Sequence, residues 1–164
     1  MAFKVRVQGR AKLTRDLQAI VPNALKYAAE ANLQIVEQAA EKISAVAPRG
    51  ATLEYAESIE GNYLRNKPNA KSFNDNPTKD PDAAGVFAPF IWLWLEFGTA
   101  PHNTAPGGGA VKGRSDNLQG KGHMHPGTVA QPHIWPTWRA FQATANRMKR
   151  NAINRGVREA MGKK

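Results

Sequence analysis

The sequence predicts a mixed α+β fold with two long helices, short strands and extended loops, and three observations predict it. Two long segments repeat apolar residues at steps of three and four, the period of a helix. Residues 3–8 alternate apolar and polar side chains, as a half-buried strand does, and residues 58–65 read as a second strand. Two stretches, 66–85 and 100–125, are dominated by Asn, Asp, Pro, Gly and Lys and offer little to bury. The chain has 164 residues, 41% of them hydrophobic and 22% charged, so 1–164 is expected to form one domain carrying those two stretches as extended loops or arms.

The elements follow in order. Phe3, Val5 and Val7 alternate with Lys4, Arg6 and Gln8, and Gly9 closes this strand. A helix over roughly 12–46 presents Leu25, Ala29, Leu33 (or Val36), Ala40, Ile43 and Ala47 on one face. The alanines let a sheet or another helix approach closely along its length. Pro22 lacks an amide hydrogen and clashes with the preceding turn, which predicts a kink or a fresh start. Pro48 and Gly50 end the helix. In the strand 58–65, Gly61 is a candidate bulge, and 66–85 is a long loop or projecting hairpin.

Residues 86–97 (VFAPFIWLWLEF) are apolar on every side and are expected to be buried. The run is too short for periodicity to separate a central strand from a short helix begun by Pro89. Six glycines make 100–125 a mobile arm or lid. Residues 126–138 form an extended lead-in, and Pro136 opens a second helix over about 137–161. Trp138, Phe141, Ala145, Met148 and Ala152 share its apolar face, with Arg139, Arg147, Arg150, Arg155 and Arg158 on the other side.

Composition removes several function classes. The chain has no cysteine, which excludes a disulfide scaffold, a cysteine nucleophile and thiolate metal sites. Residues 1–9 contain no apolar block of a secretory signal, and the longest apolar run, 83–95, falls short of the ~20 residues of a membrane span. A protein of the cytoplasm without membrane contact is expected. The net charge of +10 is uneven: residues 1–96 carry 12 Lys/Arg against 11 Asp/Glu, and residues 97–164 carry 11 against two. Such a basic block suits nucleic acid or an acidic protein surface, or is simply a solvated face.

Three candidate chemistries can be weighed. His102, His123, His125 and His133 include a His-Met-His pair, but a metal site needs three or four rigidly held ligands. These histidines lie in or beside the glycine-rich arm, so they read as loop residues bonded to backbone or partner, with no metal or cofactor. Glu96 ends an apolar run. It is either a desolvated carboxyl with a raised pKa or a structural carboxylate that accepts backbone amides or pairs with an arginine. The lack of a second tuned group beside it favours the structural role, and no hydrolase, phosphate-loop or zinc-protease motif is present, so no enzyme is expected. For nucleic acid, the arginine face of the last helix could neutralise phosphates, while Trp138 belongs to the apolar stripe.

Three segments together resemble a known family. Ala47-Pro48-Arg49-Gly50, Leu53 and Ser58-Ile59 resemble its Ala-Pro…Thr-Gly-x-Leu…Ser-Ile turn after a long first helix. Trp94-Leu95-Glu96-Phe97-Gly98-Thr99 resembles its Glu-Phe-Gly-Thr signature, and His125-Pro126-Gly127-Thr128 through Gln131-Pro132 to Pro136 resembles its His-Pro-Gly-Thr…Ala-Gln-Pro lead-in to a last helix. The family is that of tail-completion, neck or minor tail proteins of long-tailed bacteriophages, and the match runs over roughly 10–160. The chain departs from it at Arg49-Gly50-Ala51, at His133-Ile134-Trp135, and in the longer arm at 100–122.

The resemblance implies a small antiparallel β-sheet packed against the long N-terminal helix, with a C-terminal helix, as in tail-terminator proteins. It implies a structural virion protein assembled in the host cytoplasm and forming part of a ring at the head–tail junction. Its neighbours would be further copies, head-connector proteins and tail-terminator or tail-tube proteins. Glu96, Phe97, Gly98, Thr99, His125, Pro126, Gly127, Thr128, Gln131 and Pro132 become structural or interface residues. Arg139, Arg147, Arg150, Arg155 and Arg158 would face an acidic partner or the DNA passing through the neck. The alternatives are a DNA-binding protein using the arginine-rich helix and a histidine-based metal hydrolase.

Overall fold

The computed structural model describes residues 10–50, 53–70, 80, 82–103 and 124–162, with the side chains of the first helix described at Ile20 and from Pro22 onward. The strand expected at 3–8 lies outside these residues. Helix α1 (Arg10–Val46) is followed by a single turn, α2 (Glu54–Glu57), strand β1 (Glu60–Tyr63) and a 3-10 turn (Leu64–Asn66). Strand β2 (Ala84–Phe87), helix α3 (Trp92–Phe97), strands β3 (His102–Asn103) and β4 (Met124–His125), and helix α4 (Ile134–Ala160) complete the order.

The fold is α+β, as the sequence predicts. The antiparallel pair β1–β2 lies against α1, and α4 runs beside α1. Apolar burial is organised by one face of α1. Towards its C-terminal end Ala40, Ile43 and Ala47 pack with Ala56 and Ile59, and Tyr55, Val86, Ala88 and Ile134 close around them. One turn earlier Ile35 and Ala39 meet Phe141 and Ala145 of α4, flanked by Trp138 and Met148. Val86 of β2 touches both groups. The alanines on α1 allow this close packing, as expected. Ala40, Ile43 and Ala47 are buried as predicted, but in the N-terminal half of α1 the buried face is rotated from the predicted one: Ala31, Ile35 and Ala39 are buried, and Leu25 is exposed.

Four local expectations are corrected. Helix α1 runs on through Pro22, so the fresh start expected there does not occur. Gly61 is not a bulge, because β1 and β2 pair residue for residue from Glu60↔Phe87 to Tyr63↔Ala84. Its lack of a side chain serves packing instead, since a Cβ there would overlap the backbone of Val36 and Glu37 on α1. The strand read over 58–65 is shorter, because α2 ends at Glu57 and the 3-10 turn begins at Leu64.

The fourth correction concerns 86–97, which is strand and helix in succession, with Pro89 in the turn between β2 and α3. Nor is it buried throughout: Phe90, Ile91, Trp94 and Phe97 are exposed. A helix of six residues can turn only one face inward, and here that face carries Glu96.

Of the two predicted arms, 66–85 is the connection within the antiparallel pair, and Ala84 and Gly85 already belong to β2. The ends of 100–125 pair with each other as β3 and β4, His102 opposite His125 and Asn103 opposite Met124. The glycine-rich tract between them lies outside the described residues.

Candidate functional site

Three segments far apart in sequence, 47–59, 94–99 and 125–136, meet in space near Glu96. Its side chain is 2% exposed, although it sits among the most apolar letters of the chain. The reason is the start of α4. The first four amide hydrogens of any helix lack an intrahelical acceptor, and they carry the positive end of the helix dipole. His133 precedes α4 and offers no side-chain cap to them. The Glu96 carboxylate does so from another element. Its Oε2 accepts the amides of His133 at 2.7 Å and Ile134 at 2.9 Å, and Oε1 accepts that of Trp135 at 3.0 Å. The fourth position is Pro136, which has no amide hydrogen. Every orphan donor at this buried helix end is therefore satisfied or deleted. It follows that α4 begins at Ile134, ahead of the predicted start at Pro136, because Glu96 fixes the preceding amides.

The network continues through His133, which is 3% exposed. Its Nδ1 lies 2.8 Å from the Gln131 carbonyl oxygen and 3.3 Å from Glu96 Oε2, both acceptors, so this nitrogen carries a proton. In the neutral ring Nε2 then accepts the Tyr55 hydroxyl at 2.6 Å. Tyr55 lies within the first motif segment, 47–59, and packs edge-on against the imidazole. The Gln131 amide donates to the Leu95 carbonyl at 2.7 Å, a second tie between α3 and the lead-in to α4.

Just outside this buried knot the two Gly-Thr pairs meet. Thr99 and Thr128 exchange backbone hydrogen bonds of 3.0 and 3.1 Å, and the Thr99 hydroxyl accepts the Thr128 amide at 3.0 Å. Gly98 has φ 73° and ψ −178°, and Gly127 has φ 90°. A Cβ on Gly98 would stand 2.5 Å from the Thr128 carbonyl oxygen, and one on Gly127 would overlap the Thr99 carbonyl oxygen. Each glycine thus makes room for the other motif's threonine.

The remaining sequence candidates are placed as follows. Pro126, Thr128, Gln131 and Pro132 have exposed side chains along the lead-in, and Phe97 is exposed beside Trp92. The rings of His102 and His125 stack with centroids 5.1 Å apart, and each bonds to nearby backbone, at Ala100 and Gly127. His133 is in the buried network, and His123 lies outside the described residues. Among the described residues no group of three or more His, Asp or Glu is placed to hold a metal. Arg139, Arg147, Arg150 and Arg158 are exposed on α4. Arg155 departs from that face: its guanidinium lies 4.8 Å from the centroid of the Tyr27 ring on α1, and the Tyr27 hydroxyl donates to Glu159.

The network shifts two titrations. Burial is the largest influence on Glu96 and pushes its carboxyl up, but the three amides and the His133 ring together outweigh it, so the group is held below its ordinary value. The raised pKa considered from sequence is thereby corrected. Burial, and then the Glu96 charge, pushes the Tyr55 hydroxyl up to about 12.

Glu96 binds fewer protons folded than unfolded, so its contribution is complete above the ordinary carboxyl pKa and is lost as pH falls through the lower folded value. Tyr55 binds more protons folded, so its contribution is complete below the ordinary tyrosine pKa of 10.0 and is lost as pH rises from there towards 12. Urea midpoints measured against pH are expected to fall at both ends, with Glu96→Gln flattening the acid limb. An acid limb unchanged by that substitution would assign it to other carboxylates.

Compared with protein-family models, curated proteins and solved structures, the chain matches none. Among the described residues no helix is long and apolar enough to cross a membrane.

Proposed function

We propose that this chain is a structural virion protein, a subunit of a ring at the head–tail junction of a long-tailed bacteriophage. It would touch further copies of itself, a head-connector protein and a tail-terminator or tail-tube protein. The observation that carries this reading is the convergence of the motif segments. Segments 47–59, 94–99 and 125–136 each contain part of one family-like pattern; the matched Glu96 and Thr99 bond to the His133 amide and to Thr128, and Tyr55, an unmatched residue inside the first segment, joins them through the His133 ring. Chance similarities scattered along a chain have no reason to meet in this way.

A second observation supports an assembly role. Phe90, Ile91 and Trp94 are exposed beside a groove that also involves Leu95, Thr99, His102, His125 and Thr128. Exposed apolar surface of this kind suits contact between subunits. A closed ring requires one patch to meet a different patch on the next copy.

The test is electron microscopy of lysates from a host producing the virus with this gene interrupted. Full heads beside complete, unattached tails are expected. Normal joined, infectious particles would overturn the proposal.

A further inference from the structure

The outer face of α4 has a composition that the buried knot does not explain. Arg139, Ala143, Arg147, Arg150, Asn154 and Arg158 follow one another at steps of four, four, three, four and four, which places them on one side of the helix. All six are exposed. At a rise of 1.5 Å per residue, the strip runs for about 28 Å. Glu159 is the only acid in α4, and it is engaged by Tyr27. Among the described residues, the ion pairs are Arg65–Asp82, Lys67–Glu60 and His133–Glu96, so the four arginines of the strip take part in none.

We infer that this face of α4 is a contact surface for the phosphate backbone of duplex DNA, without sequence preference. The choice between DNA and an acidic protein rests on what lies between the arginines. The centre of a protein–protein interface is depleted in charge and holds large apolar or aromatic anchors. None of the exposed large hydrophobic residues lies within α4; Met161 follows its end. The strip and its exposed flanks instead hold Gln142, Asn146, Lys149, Asn151 and Asn154. Arginines interspersed with amides and small side chains are the groups that contact phosphates and sugars. Guanidinium forks also match phosphate oxygens in pairs. The exposed aromatic groups Phe90, Trp94 and Phe97 are on and around α3 instead, so the two surfaces differ in the partner they suit. The inference stands without the neck reading.

The test is titration of the full-length chain against fluorescently labelled duplexes of unrelated sequence over a range of salt concentrations. Equal affinity for all sequences is expected, with log K falling against log salt at a slope of about −3.6 if four phosphates are neutralised. The variant R147Q/R150Q is expected to reduce that slope by about 1.8. R147K/R150K should largely keep the slope, and K26Q/R49Q, which removes two charges elsewhere, should leave it unchanged. All these positions are exposed, so circular dichroism and thermal unfolding should match the parent chain. No binding at low salt would overturn the inference, as would binding that K26Q/R49Q weakens as much as R147Q/R150Q. Tighter binding to polyglutamate than to duplex at equal charge would also overturn it, and would favour an acidic protein partner.

Discussion

Glu96→Ala is expected to destabilise the fold by about 3–5 kcal/mol, the loss associated with breaking a buried charged network. Three hydrogen bonds to an ionised acceptor disappear, and hydrogen bonds to charged groups contribute about 1.5–3 kcal/mol each. The amides of His133, Ile134 and Trp135 would be left at a helix end that water reaches poorly. Glu96→Gln keeps one acceptor oxygen but turns a donor group towards amide hydrogens and removes the charge that complements the α4 dipole. Its expected cost is smaller, about 2–3 kcal/mol. Urea unfolding measures both variants. Amide hydrogen exchange locates the effect, with exchange at residues 133–135 accelerating more than in the middle of α4. Uniform acceleration would show that Glu96 acts through packing and not as a cap.

The second large effect is expected at the paired glycines. Gly98 occupies a region of backbone space that is essentially restricted to glycine, and an L-residue there costs about 1–3 kcal/mol before any contact is considered. A Cβ at this position also meets the carbonyl oxygen of Thr128, a backbone atom that cannot swing aside as a flexible side chain can. Gly98→Ala and Gly127→Ala are each expected to cost about 2–4 kcal/mol, from the backbone conformation and the lost Thr99–Thr128 bonds together. Because either substitution breaks the same bridge, the double variant should cost less than the two combined. A fully additive double-mutant cycle would show that the glycines act separately, against the reciprocal fit described above.

The candidate site was partly legible because its unusual letters stand out locally. A glutamate at the end of a tryptophan- and leucine-rich run calls for a reason, and acceptance of backbone amides was among the roles open to it. What it accepts was not legible. Backbone amides are present at every non-proline residue, so no letter marks His133, Ile134 and Trp135 as the donors 37 to 39 positions away. Tyr55 was missed as a member of the network for a related reason. A hydroxyl and an imidazole separated by 78 residues share no local signal, although Tyr55 falls inside one of the motif segments.

The sequence by itself determined the α+β class, the two long helices and the apolar stripe of α4 from Trp138 to Ala152. Helical period and proline or glycine stops are local properties that the chain carries whatever its neighbours. Tertiary structure decided the rest. It set which side of the N-terminal half of α1 is buried, because alanines leave several faces open to close packing. It made Gly61 a contact point with α1 and left α3 half exposed. It also brought Gly98 against Thr128 and Gly127 against Thr99. Each of these depends on which distant surface arrives at a residue, and no periodicity within a single segment encodes that.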